Sequence, residues 1–161
     1  MIRAVGFNCV RLPWSVEFAQ RNPTPPVRAL AANPQLHRRP ALDVLDAVVE
    51  ALAREAVMVI LDNHMSDADW CCNQHDENGL WFNARWSEQQ WQHSHTLIAR
   101  RYAQQPWVVG LELRNELRDT LQHRSEAGGD GSLSLSLSLS LSLCVCVCVC
   151  VCACVRACAC V

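Results

Sequence analysis

Apolar residues gather along this chain in three short runs, at residues 5–12, 57–61 and 108–113, separated by stretches where they recur every three or four residues. The first run reads as a buried strand that Pro13 stops, because proline lacks the N–H a sheet ladder needs. Residues 22–39 hold prolines at 23, 25, 26 and 34 and read as an irregular surface connection. Pro40 suits the start of a helix, and Leu42, Leu45, Val49, Leu52 and Ala56 then form one apolar helical stripe, predicting a helix over 41–55. The run at 57–61 is β-branched, apolar and too short for a helix, which predicts a strand covered on both faces, as in a parallel sheet. Residues 65–86 show neither period, and a loop of that length in a compact domain is usually functional. Ser87 and Gln90 make a capping box that opens a helix with Trp91, His95, Ile98 and Tyr102 on one face, and Pro106 divides it from the last strand.

The expected order is therefore strand, helix, strand, helix, strand. Each strand ends in polar residues: Arg11, His64 and the pair Asn115-Glu116. Both α/β barrels and open doubly wound sheets place their active groups at such C-terminal strand ends. No Gly-x-Gly-x-x-Gly follows any strand, so a dinucleotide-binding fold lacks its phosphate cradle and no cofactor is expected.

Composition changes the picture mainly at the C-terminus. Of the 161 residues, 132–143 alternate Ser and Leu and 144–161 alternate Cys with Val or Ala, interrupted by Arg156. A TC dinucleotide repeat encodes the first pattern and a TG repeat the second, and each exception is one base change away. The expected organisation is one domain over 1–130 and a disordered low-complexity tail over 131–161. Eight of the 11 cysteines lie in that tail, leaving Cys9, Cys71 and Cys72, so the count says little about redox compartment. Cys-x-Cys spacing is compatible with a soft metal site, but period-2 extended chemistry lacks the turns that wrap a metal. The net charge of −2 has no basic concentration that argues for nucleic acid. The uncharged stretch 132–155 exceeds a bilayer-spanning length, yet serine at every second position of its first half argues against a membrane helix. Met1 is followed at once by strand-like sequence, so no secretion signal is expected in the chain as written.

The chemistry-bearing residues, taken singly, leave alternatives open. Glu116 suits a general acid and Asn115 a ligand for a sugar hydroxyl, but Asn, Glu116 and Asp119 also suit a helix N-terminus. Strand alternation would put Glu112, Arg114 and Glu116 on one face, where Glu112 pairs with Arg114 unless the period breaks after Leu113. Arg11 at a strand end can orient a carboxylate or be structural. His64, with Asp62 and Asn63 as possible partners, can be a packed histidine or a ligand. Trp70 and Trp81 in the long loop offer flat faces for sugar rings or act as local anchors. Cys71, Cys72, His75 and Asp76 lack zinc-knuckle spacing, and Asp67 and Asp69 lack the Gly and Glu of a calcium loop, so no metal is expected.

Four segments together resemble glycoside hydrolase family 5, the cellulase family, most closely its plant-type members. They are Gly6-Phe-Asn-Cys-Val-Arg-Leu-Pro-Trp-Ser15, Val59-Ile-Leu-Asp-Asn-His-Met-Ser66, Trp70-Cys-Cys72 with Glu77-Asn-Gly79, and Val108-Val-Gly-Leu-Glu-Leu-Arg-Asn-Glu-Leu-Arg118. The resemblance implies the second to fourth strands of a (β/α)8 barrel, with Glu116 as the acid/base and Asn115 as its sugar-binding neighbour. It makes Arg11 the arginine that contacts the nucleophile and His64 a lining residue of the cleaved-sugar subsite. The implied reaction is retaining hydrolysis of a β-linked polysaccharide, with a second glutamate as nucleophile on a later strand that this sequence lacks. A polysaccharide or oligosaccharide is the expected partner, with no specific protein partner, and the family is usually secreted. Three of eight strands cannot close a barrel, so the chain as written is expected to be inactive and poorly stable. The alternatives are a non-catalytic carbohydrate-binding fragment and a pseudogene product.

Overall fold

The computed structural model describes residues 2–69 and 76–117. Trp70, Cys71, Cys72, His75, Asp119 and the repeat tail, with the domain boundary expected before it, lie outside the described residues.

A three-stranded parallel sheet carries the fold, in the order β1 (Cys9–Ser15), β2 (Met58–Met65), β3 (Val108–Glu112). Between β1 and β2 lie α1 (Val16–Arg21) and α2 (Ala41–Arg54), and α3 (Glu88–Tyr102) joins β2 to β3. The parallel βαβαβ order read from the sequence is thus present, with one short helix added.

Strand limits differ from the sequence reading in an informative way. Residues 3–5 form a 3-10 turn closed by Gly6 at φ 97, a left-handed backbone that glycine adopts without penalty, and Val5 and Phe7 stay exposed. β1 therefore starts later than expected, at Cys9, and runs through Pro13 to Ser15. Met58 N–H donates to Asn8 O, so even-numbered residues of β1 direct their backbone groups toward β2. Pro13 falls on the opposite phase, and its missing N–H costs the β1–β2 ladder nothing. β2 in turn extends past Leu61 to Met65, so Asp62, Asn63 and His64 are strand residues, with Pro13 opposite Asp62 and Trp14 opposite Asn63.

The helix α1 occupies residues between the strand end expected at Pro13 and the irregular connection expected over 22–39. Ser15 begins it, accepting from Phe18 N–H at 3.0 Å, and Asn22 ends it at φ 43 while its Oδ1 accepts from Leu42 N–H at 2.8 Å, tying α1 to the start of α2. Helix α2 buries Leu42, Leu45 and Val49 as its stripe predicts, but ends at Arg54; Ala56 lies beyond it, exposed and at φ 54. Helix α3 opens on the expected capping box, Ser87 Oγ accepting from Gln90 N–H and Gln90 Oε1 from Ser87 N–H.

One core lies between the sheet and the helices. Trp14 of β1, Val59 and Leu61 of β2, Leu42, Leu45 and Val49 of α2, and Ile98 and Tyr102 of α3 pack there. Residues alternating with them along the strands, Arg11, Asp62 and Glu112 among them, share the opposite face. Past β3 no further strand is present among the described residues, and Leu61, Ile98, Val108, Leu111 and Leu113 line an open groove of about 720 Å³.

Helices α2 and α3 are clamped by Asp46, which accepts from Arg101 Nε at 2.8 Å and from Tyr102 Oη at 2.8 Å. Burial pushes the Asp46 carboxyl up, but these hydrogen bonds and the Arg101 charge outweigh it, and its pKa is lowered; burial and the same carboxylate raise that of Tyr102. A carboxylate whose folded pKa is depressed stabilises the fold above its unfolded value of about 3.9 and loses that contribution as pH falls through the folded value. Thermal melting below about pH 4 is therefore expected to fall more steeply for the native protein than for Asp46→Asn. Parallel acid limbs would contradict the clamp.

Candidate active site

The polar face of the sheet converges at the C-terminal strand ends. Arg11 reaches from β1 across β2 to β3, its Nε donating to Glu112 Oε1 at 2.8 Å and its Nη2 to Glu112 Oε2 at 2.6 Å. Nη2 also donates to Asn115 Oδ1 at 2.8 Å, which uses both of its hydrogens, so Asp62 Oδ1 at 3.0 Å is held by charge. The Glu112 hydrogen bonds, with the charges of Asp62, Glu112 and Glu116, raise the Arg11 pKa against its partial burial, so this guanidinium stays cationic.

Asp62 is completely buried, at 0 % exposure. Burial pushes its carboxyl up; the hydrogen bond from His64 and the Arg11 charge oppose the rise, and Glu112 adds to it. His64 Nδ1 lies 2.6 Å from Asp62 Oδ2, and its Nε2 faces Asn115 Nδ2 at a long 3.5 Å. Asn115 is itself buried, and its backbone N–H donates to Asn63 O at 3.0 Å, one bond past the end of β3.

The strand period breaks after Leu113, as the sequence allowed. Glu112 pairs with Arg11 and not with Arg114, because Asn115 turns onto the polar face while Arg114 leaves it: Arg114 Nη2 donates to Asn78 O at 2.6 Å. The amide of Asn115 is thus turned to Arg11 and His64, with one N–H and one lone pair left over. Glu116 follows at φ 37 and is exposed beside this group, close enough for its charge to act on Arg11. A left-handed backbone at a non-glycine residue is uncommon and is held here by the anchored Asn115 before it.

Side chains tie down the long loop after β2. Asn78 Oδ1 accepts from Ser66 N–H at 2.9 Å and Asp67 N–H at 3.2 Å. Asp67 accepts from Trp86 Nε1 at 2.8 Å, Asn83 Nδ2 at 2.8 Å and Arg85 Nη2 at 2.9 Å. Trp81 is half-buried, 6.4 Å from Trp91, whose Nε1 donates to Leu113 O at 3.1 Å just before Arg114-Asn115-Glu116. Trp91 in turn lies 4.6 Å from His95, a ring whose pKa burial lowers and whose Nδ1 and Nε2 face the carbonyls of Trp91 and Glu112. Among the described residues no group of three His, Cys, Asp or Glu side chains could hold a metal ion.

The structure thus brings together Arg11, His64 and Asn115, with Glu116 adjacent and Trp81 linked through Trp91, while Trp70 lies outside the described residues. Sequence reasoning missed Glu112 as the main partner of Arg11, and Asn78 and Asp67 as the organisers of the loop. Glu112 lies 101 positions from Arg11, and no local pattern reports that distance. The only signal for Asp62 was its place two residues before His64 on the same face of an extended chain.

Comparison with known proteins shows the family. The sequence model described as Cellulase (glycosyl hydrolase family 5) matches residues 1–128. A "Glycosyl hydrolase 5 family protein" of Chamaecyparis obtusa is 35% identical over 133 residues, 73% of this chain and 24% of the relative. The "Major extracellular endoglucanase" of Xanthomonas campestris pv. campestris is 31% identical over 115 residues, 71% of this chain and 22% of its own. The solved catalytic domain of that endoglucanase superposes with a TM-score of 0.62 at 29% identity, covering 71% of this chain and 31% of the domain. An endocellulase from Pyrococcus horikoshii solved with cellotetraose superposes with a TM-score of 0.61 at 25% identity, covering 71% and 29%. The chain spans about a quarter of the length of the curated relatives it matches. No helix of the described residues is long and apolar enough to cross a membrane.

Proposed function

The chain belongs to the cellulase family, glycosyl hydrolase family 5, and from that premise we propose that it carries the acid/base half of a retaining β-glycosidase site. In this reading the three strands are the second to fourth of a (β/α)8 barrel, and the substrate is a β-linked glucan lying across their C-terminal ends. Glu116 protonates the leaving glycosidic oxygen and later takes a proton from the attacking water. Asn115 hydrogen-bonds a sugar hydroxyl beside it, His64 and Arg11 line the same subsite, and Trp81 and Trp70 offer aromatic faces to neighbouring sugar rings.

The observation that carries the reading is convergence: Arg11, His64 and Asn115, remote in sequence, meet in one group with Glu116 presented next to it. The attacking carboxylate is assigned to none of the described residues. Asp62 is fully buried, and Arg11 engages both oxygens of Glu112, so neither is offered to a sugar carbon. The relatives support the substrate class, since the Pyrococcus enzyme was solved with cellotetraose, and the extracellular Xanthomonas endoglucanase suits a polysaccharide met outside the cell.

In the test, formate supplies an attacking carboxylate, the role assigned to none of the described residues. The full chain is expected to bind cellotetraose, measured by titration calorimetry, and to cleave it when formate is supplied, measured by chromatography of the shortened sugars. Binding with no cleavage at any formate concentration would favour the carbohydrate-binding alternative. Absence of both would remove the proposal.

A further inference from the structure

Asp62 lies below the sugar-facing residues and has no exposed surface, yet it touches two of them. Its Oδ2 meets His64 Nδ1 at 2.6 Å, and its Oδ1 lies 3.0 Å from Arg11 Nη2. Those two side chains close on one amide, Arg11 Nη2 donating to Asn115 Oδ1 at 2.8 Å and His64 Nε2 facing Asn115 Nδ2 at 3.5 Å. Four side chains from three neighbouring strand ends therefore form a ring.

Donor and acceptor chemistry gives the ring a single polarity. Arginine can only donate, so Asn115 must turn its carbonyl oxygen to Arg11 and its NH2 group to His64. His64 Nε2 must then accept, and its one proton sits on Nδ1, where a carboxylate receives it. An amide at position 62 could not satisfy both neighbours, because its NH2 half would meet either the His64 Nδ1–H or the Arg11 donor.

We propose that Asp62 is a positioning residue of the sugar-binding group, holding His64 in the Nδ1–H tautomer and, through His64 and Arg11, setting the orientation of the Asn115 amide beside Glu116. The ring stands on its own geometry; its consequence for sugar rests on the function proposed above. Burial, with the Glu112 charge, raises the Asp62 pKa, and the His64 hydrogen bond and Arg11 charge only partly offset that rise, so the carboxylate depends on these two ring partners. A protonated Asp62 would donate to His64 Nδ1 and reverse the tautomer.

The test is ¹⁵N NMR of the histidine side chains in the full chain, with the His64 signals assigned by their loss in His64→Gln. The native protein is expected to show neutral His64 with its proton on Nδ1. Asp62→Asn is expected to move the population to Nε2–H and to weaken cellotetraose binding about tenfold, the cost of one misoriented polar pair. Native His64 protonated on Nε2, or an unchanged tautomer in folded Asp62→Asn, would overturn the proposal, and the native spectrum alone decides it where the variant does not fold. An Nδ1–H tautomer in a chain that binds no sugar would uphold the ring and remove the sugar-site reading.

Discussion

Glu116→Gln is expected to lower formate-supported cleavage of cellotetraose by about 10²- to 10⁴-fold, the usual contribution of a positioned general acid or base. The glutamine is isosteric and keeps hydrogen bonds to a sugar, but it has no proton to release to the leaving oxygen and cannot take one from water. That range corresponds to about 3 to 5 kcal/mol on the activation barrier. Affinity for cellotetraose is expected to change less than about threefold, because a group that acts mainly in the transition state contributes little to ground-state binding. Cleavage rate and affinity falling together would mean that Glu116 only holds the sugar. A cleavage rate left unchanged would reassign the acid/base to another carboxylate.

Trp14→Ala is expected to cost about 3 to 5 kcal/mol of stability, the range for a large buried aromatic truncated to a methyl group. Trp14 is 3 % exposed in the core between sheet and helices, and its ring meets His95 edge-on at 5.0 Å. Trp14→Phe is expected to stay within about 1.5 kcal/mol of the native protein, through two opposed effects. The smaller ring leaves a cavity, whereas the lost indole N–H is buried and has no acceptor among the described residues. Guanidinium unfolding separates the two variants. A phenylalanine as costly as the alanine would show that the indole N–H has an acceptor after all.

Most of the fold's scaffolding was legible because its signals are local. The stripe of Leu42, Leu45 and Val49 announces α2, the Ser87–Gln90 box announces α3 within one turn of its start, and the apolar runs locate all three strands. Strand limits were less legible. Pro13 reads as a terminator until its backbone phase relative to β2 is known, and the apolar run stops at Leu61 although the polar residues Asp62 to His64 continue the paired strand. Helix α1 is too short to show a period. Its signals are Ser15 as cap and a left-handed Asn22, and Asn22 shows its role only through its bond to the start of α2.

The site divides along the same line. By itself the sequence determined which residue types stand at the strand ends and, through four motifs in family order, the family that the chain belongs to. Tertiary structure alone decided how they are joined. Arg11 could have met Glu112, Asp62 or Glu116, and Glu112 could have met Arg11 or Arg114; strand register and the turn of the chain after Leu113 selected the pairs. Parallel strands bring together residues separated by a whole helical crossover, and a pairing across 104 positions, such as Arg11 with Asn115, leaves no period or spacing in the chain to read.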